Sequence, residues 1–312
     1  MKKNGADKNK NIFSAEFKHF CRKELSSRLK GLEILRLFYL FGMILGIMVA
    51  LAIIFLLVYH DFGRQGYMNG ETINRSAYLV IIYLLMVNIS ISNYKKFAKG
   101  VIFKKILSFI GVFKINKTKF LKDKIFKLHL FDSFSSCFFG KRYTGKYKLL
   151  DVDITEINLK SSEGKRKNVQ TVFNGVLITV PNKKRYQNAG YTLVKPHSTI
   201  NFNNNQRIQI EDEEFNKYYD VYSNDRLEAI YMLNKSFIKR MINLAKKEMV
   251  KNISICFEQG NIYIAIAFDE DLFEIPFSQP ATKIENYKSV VTKIIILLKI
   301  IDSLNLDKQI GL

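Results

Sequence analysis

Leu37 to Tyr59 reads LFYLFGMILGIMVALAIIFLLVY, 23 consecutive residues without a charge. As a helix rising ~1.5 Å per residue this stretch is roughly 34 Å long, enough for a hydrocarbon core of ~30 Å. Nothing along it marks a polar face, which a core helix of a water-soluble domain would carry. With 36 residues ahead of it and no small-residue cleavage site behind it, the run does not read as a secretory signal. It predicts a transmembrane helix, and that prediction organises the rest of the chain.

Ser76 to Tyr94, bounded by Arg75 and Lys95, is a second uncharged run of 19 residues. It is more polar toward its end, with Asn88, Ser90, Ser92 and Asn93, but at ~28 Å as a helix it spans with little tilt. The flanks set the orientation. Residues 1–36 hold ten Lys/Arg, and Lys95 to Lys127 holds eleven Lys against the single acid Asp123. In the connecting loop, 60–75, Arg64 and Arg75 are balanced by Asp61 and Glu71. The positive-inside bias therefore predicts a cell-membrane protein with both termini in the cytoplasm. The outer loop is too short for a domain, so any activity falls to the cytoplasmic side.

Of the 312 residues, 49 are Lys or Arg and 28 Asp or Glu, for a net charge of +21. Residues 1–132 carry 23 cations against 8 acids, so the excess lies beside the spans. That placement fits anionic lipid headgroups, with Lys95, Lys96, Lys99, Lys104 and Lys105 as the expected contacts. It also fits a plain positive flank whose apolar side packs into protein. No Gly-rich or RNP-type aromatic pattern accompanies the charge, so nucleic acid is not an expected partner. Within the first span Gly42, Gly46 and Ala50 recur every four residues and share one face. They fit either a homo-oligomer seam or packing against the second span, where Asn88 would bond across the interface.

The expected organisation is a basic amphipathic segment over 1–33, two transmembrane helices within 34–94, a basic juxtamembrane segment over 95–130 and a cytoplasmic α+β domain over 131–312. In the first segment Ser14 is a candidate cap, and Phe17, Phe20, Cys21, Leu25 and Leu29 follow helical spacing. In the cytoplasmic domain, 146–159, 169–180, 190–196 and 206–211 alternate as strands. Residues 252–268 read as a hairpin turning near Gln259-Gly260-Asn261. Asp225 and Asn234 are placed to cap two short helices. Residues 283–306 form a long apolar helix, but Lys293, Lys299 and Asp302 make it a poor span and a good closing helix. The sheet is expected to be largely antiparallel, behind a two-helix transmembrane hairpin.

The residue types that carry common chemistries are scattered. Three cysteines (Cys21, Cys137, Cys256) lie more than a hundred residues apart, excluding a disulfide scaffold and a zinc ribbon. The four histidines form no ligand spacing, and no P-loop, dinucleotide fingerprint, nucleophile elbow or HExxH occurs. The acidic runs Glu211–Glu214 and Asp269–Asp271 lack EF-hand spacing, and Ser223 with His197 lacks a third triad member. No cofactor, metal or catalytic residue is expected.

Several short motifs carry a resemblance. They are Phe173-Asn-Gly-Val-Leu-Ile178, Glu214-Phe215, Val221-Tyr222-Ser223-Asn224-Asp225 and Glu228-Ala229-x-Tyr231-x-Leu233. Further along come Asn261-x-Tyr263-Ile264-Ala265-Ile266, Asp271-Leu272-Phe273-Glu274 and Ile301-Asp302-x-Leu304-Asn305-Leu306. Together, over roughly 14–306, the chain resembles the uncharacterised bacterial membrane-protein family called domain of unknown function 3137. One departure is Asn182-Lys183, where that family's strand is followed by an acidic-aromatic pair. The resemblance implies a two-span layout and no activity. The leading functional expectation is a membrane-tethered binding or scaffolding module that contacts lipid headgroups or a protein partner. A membrane-associated enzyme acting on lipid or envelope precursors and an oligomeric channel or transport accessory are the alternatives.

Overall fold

The structure, a computed structural model, describes residues 19–67, 70–110, 112–116, 121–148, 150–163, 168–181, 190–197, 206–246, 252–258, 260–268 and 276–304. Ser14, Phe17, the Asp269–Asp271 run, the Asp271–Glu274 motif, Asn182-Lys183 and Asn305-Leu306 lie outside them. The chain divides into two compact units, residues 1–105 with 273–289 and residues 106–272 with 290–312.

The first unit is built on two helices. A π-helical turn at Cys21–Leu25 runs into α1 (Ser26–Gln65), which ends on Gly66 in the left-handed conformation. Helix α2 (Gly70–Ile110) returns antiparallel to it. Both are long and apolar enough to cross a membrane, and none of the apolar window in either is buried. Contacts along the pair fix its register. Thr72 Oγ1 donates to Asp61 at the loop end, the Tyr83 hydroxyl donates to the Met43 carbonyl at 2.7 Å, the rings of Tyr39 and Tyr94 meet edge-on, and Lys105 pairs with Glu24 at 3.3 Å. Each helix overruns its predicted span, because the flanking sequence keeps helical spacing. Cys21, Leu25, Leu29 and Leu32 form a buried stripe on one, and Tyr94, Ala98, Ile102 and Phe103 on the other. The apolar side of the basic flank is thus covered by protein. Residues 276–287 complete this unit, with Phe277 against Tyr94 and the buried Tyr287 hydroxyl donating to the Ala281 carbonyl.

Among the described residues the second unit is a nine-stranded antiparallel sheet with helices, an α+β architecture as expected. The elements follow as β1 (Val112–Asn116), α3 (Leu121–Lys127), β2 (Ser136–Tyr147), β3 (Leu150–Glu163), β4 (Asn168–Pro181), β5 (Tyr191–Pro196) and β6 (Arg207–Ile208). Then come α4 (Glu213–Asn216), β7 (Tyr219–Ser223), α5 (Arg226–Met232), α6 (Lys235–Ala245), β8 (Asn252–Glu258), β9 (Asn261–Ala267) and α7 (Lys288–Leu304). In space the strands run β1-β2-β3-β4-β9-β8-β5-β7-β6. The run read as one strand over 146–159 is two, because Lys148 turns the chain with a φ of 54° and lets β2 pair back on β3. Strands β1 and β7 and most of β2 fall where the sequence marks none, and β6 shrinks to two residues. The hairpin is as read, with Glu258 opposite Asn261 and Gly260 at a φ of 68°. Both caps are also in place: Asp225 accepts from the Glu228 N–H at 3.0 Å and Asn234 from the Phe237 N–H at 2.9 Å.

Alternation splits the core into two layers. On one face Ile154, Val176, Ile178, Ile264, Ile255 and Val194 are buried, and α6 covers that side with Phe237 edge-on to Phe257. Helix α7 buries Ile294, Leu297, Ile301 and Leu304 and is tied in by Tyr147 and Lys148 to Asp302. It is a closing helix, as its three charges predict. The opposite face carries Ile157, Leu159, Leu177, Leu193, Cys256 and Ala265 under Ile125, Leu128 and Leu130 from α3 and the residues after it.

Candidate functional site: a cationic cavity on the sheet

One transverse row crosses all nine strands. In spatial order it reads Lys114, Thr144, Asp153, Thr179, Tyr263, Cys256, Leu193, Tyr222, Arg207. Directly paired residues share a face, so this row samples the α3 side of the sheet from edge to edge. Its middle is apolar and filled. Toward β1 it carries the short side chains Thr144 and Thr179, and there, among the described residues, the cover is the two turns of α3. A cavity of about 790 Å³ opens at that point. Its apolar lining comes from Ile125, Leu128, Leu177 and Tyr263, and four cations surround it: Lys114, Lys124, Arg142 and Lys146.

Of the two carboxylates in the cavity, Asp153 is already engaged. Asp153 Oδ2 accepts from Arg142 Nε at 2.7 Å and pairs with Nη2 at 2.5 Å, while Oδ1 accepts from Thr155 Oγ1 at 3.1 Å. That carboxylate orients a guanidinium. Asp151 stands opposite Lys146 in the β2–β3 register. At the floor, Lys124 Nζ lies 5.3 Å over the Tyr263 ring, within cation–π range. The Tyr263 hydroxyl is buried, with the Asn261 side chain beside it but outside good hydrogen-bond geometry. Burial pushes its pKa up, as do the charges of Glu258 and Cys256, while the Asn261 side chain opposes them.

Beyond the cavity on the same face, the Cys256 thiol donates to Glu258 Oε2 at 3.6 Å, and Glu258 Oε1 stands 3.3 Å from His129 Nδ1. The His129 ring stacks on Tyr191 at 3.9 Å and 3°. A cysteine, a glutamate and a histidine together suggest nucleophilic catalysis, but Cys256 is fully buried. Burial first, and Glu258 second, raise its thiol pKa well above normal, the reverse of an activated nucleophile. The cluster instead fastens the chain just after α3 to the sheet, which holds the roof of the cavity.

The candidate residues read from the sequence sit elsewhere. A Cβ on Gly46 would stand 3.1 Å from the Tyr83 ring, whereas Gly42 has open space; Ala50 is half-buried and Asn88 exposed. Lys96 and Lys104 are exposed, Lys95 and Lys99 half-buried, and Lys105 holds Glu24. Ser223 and His197 are not brought together. The Ser223 hydroxyl is buried in backbone contacts to Tyr191 and Asp225, while His197 faces Asp220 at 3.1 Å beside Arg207. Within Glu211–Glu214, Asp212 caps α4 and Glu214 pairs with Lys246. Among the described residues no group of three or more His, Cys, Asp or Glu is arranged to hold a metal ion.

The motif residues have visible duties. A Cβ on Gly175 would stand 2.1 Å from the Ile266 carbonyl oxygen, so β4 and β9 meet there only through glycine. Asn224 accepts from the Tyr191 N–H at 2.8 Å, and Asn261 and Tyr263 both line the cavity. Residues 171–306 match the family model described as protein of unknown function (DUF3137). The matched stretch is shorter than the 14–306 of the resemblance. The DUF3137 segment supplies the cavity's Leu177, Thr179, Asn261 and Tyr263, while all four cations come from residues ahead of it. No curated protein and no solved structure matches the chain.

Proposed function

We propose that this is a membrane-tethered cytoplasmic binding module whose sheet cavity takes a negatively charged ligand. The observation that carries the reading is the cavity's makeup: four cations, Lys114, Lys124, Arg142 and Lys146, against two carboxylates, of which Asp153 is tied to Arg142. Such a makeup suits binding and orienting an anion. The tether rests on the two apolar helices and on the basic residues flanking them, which orient both termini inward. Exposed Lys96 and Lys104 are placed to meet anionic headgroups.

Calorimetry on the full-length protein in a non-ionic detergent tests the reading. Saturable binding of an anionic probe such as inorganic phosphate or a short-chain anionic phospholipid, weakened in Arg142→Gln, supports it. Heats no different from dilution for all such probes overturn it.

A further inference from the structure

Resting on the membrane tether and not on the cavity, we infer that the outward face of α2 is a dimer seam. It pairs with the same face of a second copy of this chain, through Asn88.

The starting point is where Asn88 stands. Ser76 to Tyr94 is centred on Leu85, so Asn88 lies only ~4.5 Å along the helix from the middle of the span. Tyr83 marks the side of α2 that meets α1, with its hydroxyl on the Met43 carbonyl and its ring beside Gly46. Five residues on, at ~100° per residue, Asn88 is about 140° round the helix from that side, and it is exposed. Its amide therefore faces away from α1. In hydrocarbon no water satisfies that amide, and polar side chains in spans bond to a neighbouring helix instead.

The occupant follows from symmetry. Copies inserted in one membrane share one orientation, so a two-fold pairing of α2 helices sets Asn88 opposite Asn88 at the same depth. A carboxamide is self-complementary: each NH2 donates to the other's carbonyl oxygen. A foreign helix needs its own polar group at that depth, whereas a second copy always has one.

The residues around Asn88 fit the same seam. Tyr78, Ile81, Leu85, Asn88 and Ser92 recur at spacings of three and four, the pattern of a heptad seam between two helices. Tyr78, Ile81 and Leu85 are exposed. A single asparagine among apolar seam residues specifies register and oligomeric state. On α1, by contrast, Gly46 is taken up by Tyr83 within one chain.

Full-length chains carrying Ile81→Cys, Leu85→Cys or Met86→Cys are oxidised in their own membranes with copper phenanthroline, the wild-type chain giving the background of its native cysteines. Ile81→Cys and Leu85→Cys form covalent dimers. Met86→Cys, exposed but ~100° round the helix from Leu85, stays at background. In a dilution series of the purified protein in non-ionic detergent, Asn88→Leu weakens dimerisation about tenfold with unchanged circular dichroism. Asn88→Gln keeps most of the affinity, and Gly42→Leu keeps all of it. Absence of covalent dimers, equal cross-linking at Met86, or a dimer lost in Gly42→Leu but not in Asn88→Leu overturns the seam. A monomer that holds a different membrane protein through Asn88 overturns the second copy. In each case a chain that still pellets with alkaline-washed membranes leaves the tether standing; a chain washed into the supernatant removes both.

Discussion

The Tyr83 hydroxyl donates to the Met43 carbonyl oxygen at 2.7 Å, and the same ring lies where a side chain on Gly46 would begin. This pairing, within one chain, is the tightest approach recorded at a span glycine. Gly46→Leu therefore forces the ring away and destabilises the hairpin by about 1–3 kcal/mol. Gly42→Leu, with open space beside it, changes it by about 0.5 kcal/mol or less. Thermal unfolding of the two variants in detergent separates these outcomes. A larger loss for Gly42→Leu would locate the critical seam on another face, between chains.

Glu33 holds residues 276–287 to the helix pair. Its carboxylate pairs with Arg36 at 2.6 Å and accepts from the Ala281 N–H at 2.5 Å, while Arg36 reaches the Phe277 carbonyl at 3.4 Å. Glu33→Ala leaves the buried Arg36 guanidinium and that N–H without their partner, a loss of about 1–3 kcal/mol. Hydrogen exchange at 276–287 speeds up in the variant. Exchange at the wild-type rate would show that Tyr287 and Phe277 hold the segment unaided.

Cys256 is buried and hydrogen-bonded to Glu258, and its thiol pKa is raised. It stays protonated and unreactive at mildly alkaline pH in the folded protein. Iodoacetamide followed by peptide mass spectrometry is expected to modify it only in denaturant. Rapid native alkylation would show that the sheet opens at β8.

Tyr219 is pushed up to about 12 by burial. Its unfolded value is about 10, so between those values the folded state holds a proton that the unfolded state loses. Stability is then fully present below about pH 10 and falls, by an amount of the order of 2 kcal/mol, as pH rises toward 12. Tyr143 and Tyr263 shift in the same direction. Urea midpoints at about pH 9 and 11 test this, and equal midpoints would contradict it.

How much of this was readable in advance depends on how local the signal is. The two long apolar helices, the Asp225 and Asn234 caps and the Gly260 hairpin are each written in one contiguous stretch, so hydropathy, periodicity and cap chemistry find them. Strand β7, YDVYS, is buried at all five residues despite its aspartate, because Asp220 is satisfied by His197 and Arg207, partners that no local pattern reveals. The turn at Lys148 was hidden because no glycine or asparagine marks it. The cavity was illegible for a stronger reason. Lys114, Thr144, Asp153, Thr179 and Tyr263 come from five strands, and only the sheet order sets them in one row. The lysines drew attention as a membrane flank, a reading that needed no knowledge of what α3 covers.

Native mass spectrometry of the full-length protein, released directly from membranes in a mild non-ionic detergent, tests the central claim most directly. The account predicts that the protein pellets with membranes through alkaline carbonate washing. It then carries one anionic ligand per chain, reduced in the Arg142→Gln and Lys124→Gln variants that remain folded. A protein recovered in the wash supernatant, or ligand occupancy unchanged by those cavity substitutions, would contradict it.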